Sequence, residues 1–290
     1  MKAPQLIFFS ALDLYGRLPY FRGKGRLVVW LLRLLRSSGP LPIRLPDQSR
    51  ILMTQQSLEL LAYFWLGKHQ PELTKTFWQI LCTLPAGHSV IDVGAHIGYY
   101  SLMAAHRLRQ IGAGLVFAFE PHPINFADLQ RNQQLNNMSN LILIQKAAAD
   151  QTTQMRLFSS PLSCEHSLRQ FPFHSNSYEV ESITLDDFMV HYSTIKIGLL
   201  KIDVEGAELL TLRGAQQLLE RDRPLVIYEE SKERCRFFNY TTTESRRFMN
   251  EIEYDLYQVD DFEIFSDVLA IPKEKHSAFL QNTTKFLQIK

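Results

Sequence analysis

The sequence has few cysteines and almost no net charge, and both shortages narrow the classes of protein to which it can belong. It contains 3 cysteines in 290 residues and no C-x-x-C pair, so neither a disulfide framework nor a zinc site is indicated. The formal net charge of +1 gives no indication of a nucleic-acid partner. Apolar residues nevertheless make up 46% of the chain, which is enough for a sizeable core.

A long hydrophobic run is also missing. The apolar run at 27–32 is far shorter than the roughly 20 residues that span a bilayer, and the N-terminus lacks the layout of a cleavable signal, so we expect a cytoplasmic protein. On a helix, Arg26, Arg33 and Arg36 would share one side, which fits a basic helix on a membrane surface. We favour a simpler interpretation, in which residues 1–46 form a helical arm packed on the domain or on the second subunit of a homodimer.

The glycine motif of this chain lacks the pattern that wraps a diphosphate. A short apolar run at 90–93 contains Asp92 and is followed by Gly94, Gly98 and a helix start at 101–105. The spacing is D-x-G-x-x-x-G rather than G-x-G-x-x-G, which fits S-adenosylmethionine better than NAD. Asp92 could hold a cationic amino-acid tail, Gly94 allows a tight turn, and Gly98 lets a ligand or the helix approach. The alternative is an ordinary turn between a strand and a helix.

An acid follows the second predicted strand, at 114–119, as it does in nucleotide-type sites. Glu120 lies about 20 residues beyond the glycine loop, where a carboxylate can accept hydrogen bonds from both ribose hydroxyls. Asn125 begins the next predicted helix, near the expected ribose. Asp150 follows a third predicted strand and could contact the adenine amino group, or it could be an ordinary turn aspartate.

A second charged group falls in the predicted strand at 197–204. Strand periodicity places Leu199, Lys201 and Asp203 on one face. Charges in a buried parallel strand are costly unless they are paired or used, and the carboxyl ends of such strands are where open α/β sheets bind ligands. A structural pair of Lys201 and Asp203 is the alternative. The following strand also ends in an acid, Glu229.

The remaining segments predict elements around this sheet. A small hairpin is expected from 43–46 and 50–53, and helices are expected at 58–66 and 72–84. The polar stretch at 159–177 is long for a loop in a compact domain, and we interpret it as a lid or as part of the acceptor site.

Five short blocks of the sequence together resemble the FkbM-type methyltransferase family. They are D-V-G-A-H-I-G at 92–98, F-E-P at 119–121, T-L-D at 184–186, L-K-I-D-V-E-G-A-E at 200–208 and L-R-G-A at 212–215. The resemblance covers about 58–272, and the block around Lys201 is its most distinctive mark. His96 stands where the family usually has asparagine, and Gln70 stands where it often has glutamate.

The resemblance implies a fold, a cofactor and a reaction. The expected fold is α/β, with a Rossmann-like sheet of seven strands, mostly parallel with one antiparallel strand near the edge, helices on both faces and the N-terminal helical extension. Residues 47–290 would form this domain. The expected cofactor is S-adenosylmethionine, and the expected reaction is O-methylation of a sugar, glycan or secondary metabolite. The candidate cofactor-binding residues are Asp92, Gly94, His96, Gly98, Tyr99, Glu120, Asn125 and Asp150.

An alcohol acceptor must also lose its proton, so a carboxylate near the methyl group is expected. Asp203 is our first choice as this base, and Lys201 and Glu205 would position it or the acceptor. Glu229 could join Asp203 in holding a divalent cation such as magnesium. We do not favour a metal, because paired acids at strand ends often bind only hydroxyls.

Two functions of other classes stay open at this point. One is a nicotinamide-dependent oxidoreductase on a similar sheet, against which the glycine spacing argues. The other is a non-catalytic binding protein that retains the pocket, against which the intact Asp92, Glu120 and Asp203 argue. The sequence does not identify the small-molecule or glycan acceptor.

Overall fold

The computed structural model describes residues 41–45, 47–53, 70–160, 164–261, 265–277 and 287–289. Most of the predicted N-terminal arm, and the predicted helix at 58–66, lie outside these residues. Among the helices inside them, none has the length and apolarity that a bilayer span requires.

The described part of the chain contains 13 strands, numbered here in chain order. They are β1 (Leu41–Arg44), β2 (Arg50–Met53), β3 (His88–Val93), β4 (Val116–Phe119), β5 (Leu141–Ile144), β6 (Ala147–Ala148), β7 (Gln154–Ser159), β8 (Asn176–Ile183), β9 (Lys196–Ile202), β10 (Leu225–Glu230), β11 (Tyr254–Asp261), β12 (Ser266–Pro272) and β13 (Leu287–Ile289).

The same part of the chain contains 8 α-helices. They are α1 (Pro71–Thr83), α2 (Tyr99–Gln110), α3 (Pro123–Leu135), α4 (Leu185–Val190), α5 (Glu208–Arg213), α6 (Gln216–Asp222), α7 (Lys232–Phe237) and α8 (Thr242–Glu251). The predicted helix at 72–84 is confirmed as α1.

A single large sheet carries the fold, with the strand order β13-β11-β12-β10-β9-β3-β4-β5. The strands from β10 to β5 are parallel, and β12 runs antiparallel between β10 and β11. The predicted Rossmann-like sheet is therefore confirmed. The short strand β13 pairs with β11 as an eighth strand, which three residues are too few to reveal by periodicity.

Apolar side chains cover both faces of this sheet and hold helices against it. On one face, α1 and α2 pack over residues such as Val90 and Leu199. On the other face, α4, α6 and α8 pack over residues such as Ile91 and Leu200. The alternation of adjacent residues between the two layers is the period of two that a strand imposes. Both faces are thus covered by helices, as parallel sheets require.

Two smaller β structures flank the large sheet. The predicted hairpin is confirmed as β1 and β2, and its backbone N–H groups at Arg50 and Leu52 donate to the side chains of Asn136 and Asn132. Its first strand falls inside the range that we assigned to the N-terminal arm. The strands β7 and β8 pair antiparallel, so the polar stretch between them is the loop of an inserted hairpin.

The glycine turn after β3 is shaped by the protein itself. Gly94 has a φ of 77°, and a Cβ atom there would lie 1.8 Å from the carbonyl oxygen of Asp203. Gly98 has a φ of 97°, and a Cβ atom there would lie 2.6 Å from Leu129 of α3. Of the two reasons considered for Gly98, the approach of a helix is therefore the one that the structure supports.

We predict that Gly94→Ala destabilises the protein more than Gly112→Ala does. Gly112 has nearly the same φ, 76°, but a Cβ atom there would meet nothing within 4 Å. The left-handed backbone alone should cost about 1–2 kcal/mol at both positions. The clash with Asp203 should cost about 1–3 kcal/mol more at Gly94. Urea unfolding of the two variants measures this difference, and equal losses would contradict the contact.

Candidate functional site

Ionisable residues from neighbouring strands form a row on one face of the sheet. In the β3–β9 pair, Asp92 lies directly opposite Lys201, and in the β10–β12 pair, Glu229 lies directly opposite Asp267. Each is two residues from an apolar side chain of the layer under α1 and α2, so the row faces that side. Asp92, Lys201 and Glu229 lie near the carboxyl ends of parallel strands, where open α/β sheets bind ligands, and Asp267 lies at the same edge of the sheet, near the start of the antiparallel β12.

Lys201 is the centre of this row. It is buried, and its Nζ lies 3.2 Å from Asp203 Oδ2 and 3.7 Å from Asp92 Oδ1. The same ammonium lies 4.8 Å from the centroid of the Tyr100 ring, within the range of a cation–π contact. Burial alone would lower the pKa of Lys201, but the charges of Asp203 and Asp92 outweigh it and raise the pKa, so the ammonium stays protonated.

Asp92 faces the protein interior. Its Oδ2 accepts a hydrogen bond of 2.5 Å from Ser101, in α2. Its Oδ1 makes no hydrogen bond in the structure, although it lies in ion-pair range of Lys201. Burial raises the pKa of Asp92, against the opposing effect of Lys201. The suggested contact of Asp92 with a cationic amino-acid tail stays a prediction.

Glu120 is buried one residue beyond the end of β4, and both of its oxygens accept backbone hydrogen bonds. The N–H of His96 donates to Oε2 at 2.8 Å, and the N–H of His122 donates to Oε1 at 2.9 Å. The side chain of Asn125 also bonds to this carboxylate. Burial raises the pKa of Glu120 to about 7, against the lowering effect of these hydrogen bonds. The structure thus brings three of the predicted cofactor residues together.

The backbone N–H groups of the glycine loop are already used inside the protein. Those of Gly94 and Ala95 donate to Phe119, that of Gly98 donates to Ala95, and that of His96 donates to Glu120. A diphosphate site instead needs such N–H groups directed at the ligand. Four of the five N–H groups at 94–98 are thus bonded within the protein, and the loop does not form an anion cradle of this kind. Binding of a ribose at Glu120 stays a prediction.

The structure gives a local role to His96 and Tyr99, two of the residues predicted to bind the cofactor. His96 has a φ of 52°, in the left-handed region that histidine and asparagine enter more often than most residues. This backbone requirement explains why histidine can stand where the family usually has asparagine. Tyr99 begins α2 with its ring 4.9 Å from that of Tyr100. It is Tyr100, and not Tyr99, whose ring contacts Lys201.

Tyr100 is a site residue that the sequence analysis missed. Its hydroxyl donates to Gln70 Oε1 at 3.2 Å and lies 3.3 Å from the hydroxyl of Thr74. Tyr100 is followed at intervals of four by Ala104 and Leu108, all of them buried. This helical spacing could have shown that Tyr100 faces the sheet. The residues Gln70 and Thr74 bring the start of α1 over the charged row.

A second group of charged residues surrounds Arg234, a residue that the sequence did not indicate. The Arg234 guanidinium pairs with Glu205 and lies 2.9 Å from Glu229. Burial raises the pKa of both glutamates well above the usual range, and Arg234 opposes that effect. Oxygens of Asp203, Glu205 and Glu229 all lie within 4.8 Å of one another. Arg234 already supplies positive charge there, so the arrangement does not require a divalent cation.

Asp150 lies against a different part of the fold. It follows β6, and a Cβ atom at Gly214 would lie 2.0 Å from the carbonyl oxygen of Ala149 and 3.3 Å from Cα of Asp150. Gly214 is therefore the glycine of L-R-G-A because the chain before Asp150 passes directly over it. The proposed adenine contact of Asp150 stays a prediction.

The loop of the inserted hairpin returns to the turn after Glu120. The rings of His122 and His166 stack with their centroids 3.8 Å apart. Burial lowers the pKa of His122 to about 4 and, together with neighbouring histidines, that of His166 to about 3. The two rings are therefore neutral at physiological pH. Glu165 of the same loop lies 3.9 Å from Arg234, so the loop contacts both the turn after Glu120 and the group around Arg234.

Comparison with known proteins agrees with this geometry. The model of the methyltransferase FkbM domain matches residues 92–256. The chain is 28% identical over 154 residues to methyltransferase 1 of Beauveria bassiana, across 45% of this chain and 59% of that protein. It is 29% identical over 163 residues to the 31-O-demethyl-FK506 methyltransferase FkbM of Streptomyces tacrolimicus, across 46% of this chain and 61% of that protein. The matches thus span about three fifths of these relatives.

Solved structures of methyltransferases are also similar to the chain. The methyltransferase FkbM of Methylobacillus flagellatus is 18% identical, with a TM-score of 0.45 and coverage of 83% of this chain and 58% of that one. A SAM-dependent methyltransferase of Agrobacterium tumefaciens is 12% identical, with a TM-score of 0.45 and coverage of 80% and 69%. The family match takes in both the glycine loop and the strand that carries Lys201 and Asp203. The chain belongs to the FkbM methyltransferase family.

Proposed function

We propose that this chain is an S-adenosylmethionine-dependent methyltransferase that methylates a hydroxyl oxygen of a small-molecule or glycan acceptor. The observation that supports this most is the position of the glycine loop, which contacts both Glu120 and Asp203. His96 of the loop bonds to Glu120, and Gly94 of the same loop packs against Asp203. A ligand held at Glu120 would therefore lie beside the Lys201–Asp203 pair.

Glu120 and Asn125 would hold the cofactor through its ribose. Each Glu120 oxygen accepts one backbone hydrogen bond, and the side chain of Asn125 bonds to the same carboxylate. One ribose hydroxyl would use the remaining lone pair, and the second would replace Asn125 as a donor. When bound, S-adenosylmethionine supplies an electrophilic methyl group on its sulfonium. The residues of the chain then have to align the acceptor oxygen with that methyl group and exclude water.

Asp203 is the proposed base because an acceptor can reach it. Its side chain is 29% exposed, whereas those of Lys201 and Asp92 are 3% and 1% exposed. Lys201 donates to Oδ2 of Asp203, which fixes that carboxylate and leaves Oδ1 for the acceptor hydroxyl. The hydroxyl proton would pass to Asp203 while the acceptor oxygen takes the methyl group, and the bond between that methyl group and sulfur would break with its electron pair kept by sulfur.

Glu205 and Lys201 are proposed as positioning residues. Glu205 has a φ of 56° and is buried against Arg234, so it supports the chain immediately after Asp203. A nicotinamide-dependent oxidoreductase is the weaker candidate, because four of the five backbone N–H groups at 94–98 are bonded within the protein and do not form a cradle for a diphosphate.

We predict that Asp203→Asn keeps cofactor binding and loses turnover. The change removes the proton acceptor but preserves shape, so turnover should fall roughly 10²–10⁴-fold. Calorimetry with S-adenosylhomocysteine and a turnover assay in the presence of a chelator measure the two effects. The control is Asp255→Asn, on β11, where the carboxylate bonds to His276. Near-normal turnover in Asp203→Asn would contradict the assignment, and loss of both properties would make Asp203 structural.

We predict that S-adenosylhomocysteine binds more tightly as the pH rises through about 7, the value to which burial raises the pKa of Glu120. Ribose hydroxyls donate to the ionised carboxylate, so binding lowers this pKa and releases a proton below it. Affinity should therefore fall by up to about tenfold per pH unit below this value. Calorimetric titrations from pH 5.5 to 8 measure this dependence.

The matched control for the pH dependence is Glu120→Gln, which cannot titrate. The control matters because burial also raises the pKa of Glu208 to about 7. The pH dependence should be absent from the variant. If the dependence persists in Glu120→Gln, another group causes it, and a flat profile in the natural protein would remove the ribose assignment.

A further inference from the structure

Asp267 is a buried carboxylate that the mechanism above does not use. It lies near the start of β12, and its side chain is almost fully buried. Among the described residues, no hydrogen bond or ion pair to its side chain is found, and its Oδ2 atom is both buried and without a hydrogen-bond partner. A buried carboxylate without a partner costs stability, so a natural protein that keeps one needs a reason for it.

The position of Asp267 is on the acceptor side of the site. It lies two residues before Leu269 on β12, so both side chains are on the same face of the sheet, the face on which Lys201 lies. Its charge acts on Tyr100 and Lys201, and the charge of Asp203 acts on it. Only β10 separates β12 from β9, so Asp267 and Lys201 lie on strands about 10 Å apart.

The order of the strands places Asp267 on one side of Asp203 and the glycine loop on the other. The strand order is β12-β10-β9-β3, and Glu120 follows β4 on the other side of β3. A cofactor held by Glu120 would therefore approach Asp203 from one side, and the side of Asp267 would be left to the acceptor. Tyr100, Gln70 and Thr74 lie over the same part of the row.

We propose that Asp267 is a specificity-determining residue, which accepts a hydrogen bond from a second donor group of the acceptor, separate from the hydroxyl that is methylated. This inference rests on the proposed methyltransferase function. The second donor replaces the partner that the Asp267 carboxylate lacks. An acceptor without that donor would leave the carboxylate buried and unpaired, and such a mismatch discriminates strongly between substrates.

The first test needs no acceptor, because a ligand-binding role and a structural role predict opposite changes in stability. Burial and the charge of Asp203 raise the pKa of Asp267 well above its usual range. Protonated Asp267 is therefore favoured in the folded protein. The stability that its protonation contributes is lost as the pH rises from the pKa of Asp267 in the unfolded chain through its higher pKa in the folded protein. Asp267→Asn carries no such cost, so its Tm should exceed that of the natural protein by roughly 2–4 °C at pH 8, and by less at pH 5.

The other charged groups near Asp267 are unchanged in this comparison, so the difference isolates the one carboxylate. The titratable groups around it are Lys201, Asp203, Glu229, Asp260 and Tyr100. Asp222→Asn is the matched control, because Asp222 is equally buried but accepts hydrogen bonds from Ile197 and Arg221. That variant should be less stable than the natural protein at pH 8. A lower Tm for Asp267→Asn at pH 8 would show a structural role and overturn the proposal.

The second test separates this inference from the proposed function. Both proteins are titrated with S-adenosylhomocysteine and assayed with labelled S-adenosylmethionine on methyl glycosides and on analogues that each lack one hydroxyl. Failure of the natural protein to bind S-adenosylhomocysteine would refute the proposed function itself. If both proteins bind it equally, Asp267→Asn should raise KM at least tenfold for the best acceptor and should no longer distinguish it from one of its deoxy analogues.

Two results of the second test would overturn the role of Asp267. One is an unchanged KM and an unchanged preference among the analogues in Asp267→Asn. The other is a natural protein that binds S-adenosylhomocysteine but methylates each deoxy analogue as well as the parent compound. The first of these would show that the carboxylate does not contact the acceptor, and the second would show that no second donor is recognised.

Discussion

The buried ammonium of Lys201 is the interaction on which the site depends. Asp92 and Asp203 lie on either side of it, at the ends of adjacent strands. Without the lysine, the buried carboxylate of Asp92 would lose its ion-pair partner, and removing one partner of a buried ion pair typically costs about 3–5 kcal/mol. The same ammonium lies against the Tyr100 ring, so it also links the sheet to the helix that follows the glycine loop.

The sheet and the main site residues could be predicted because each has a local signal. Runs of apolar residues at strand length gave the parallel strands, and charges inside such a run, as at Lys201 and Asp203, pointed to a site. The acid after β4 was recognisable from its distance to the glycine loop. Register then adds what the sequence cannot show, namely that Asp92 lies opposite Lys201 and Glu229 lies opposite Asp267.

The residues that were missed act across elements distant in the chain. Arg234 joins Glu205 and Glu229 from a short helix, and Tyr100 meets Gln70 from the start of α1. No spacing in the sequence predicts such pairs. The glycines show what packing adds: Gly94 and Gly98 lie so close to Asp203 and Leu129 that a Cβ atom at either position would clash with the protein itself. Gly214 is likewise explained by the backbone of Ala149, which packs tightly against it.

A crystal structure of the protein with S-adenosylhomocysteine would test the central claim most directly. The account predicts both ribose hydroxyls within hydrogen-bond distance of Glu120 and the sulfur atom facing the Lys201–Asp203 pair. It also predicts that the glycine loop keeps its internal hydrogen bonds, since none of them has to be given up to the ligand. A ligand bound with its ribose away from Glu120, or with its sulfur directed away from Asp203, would contradict the account.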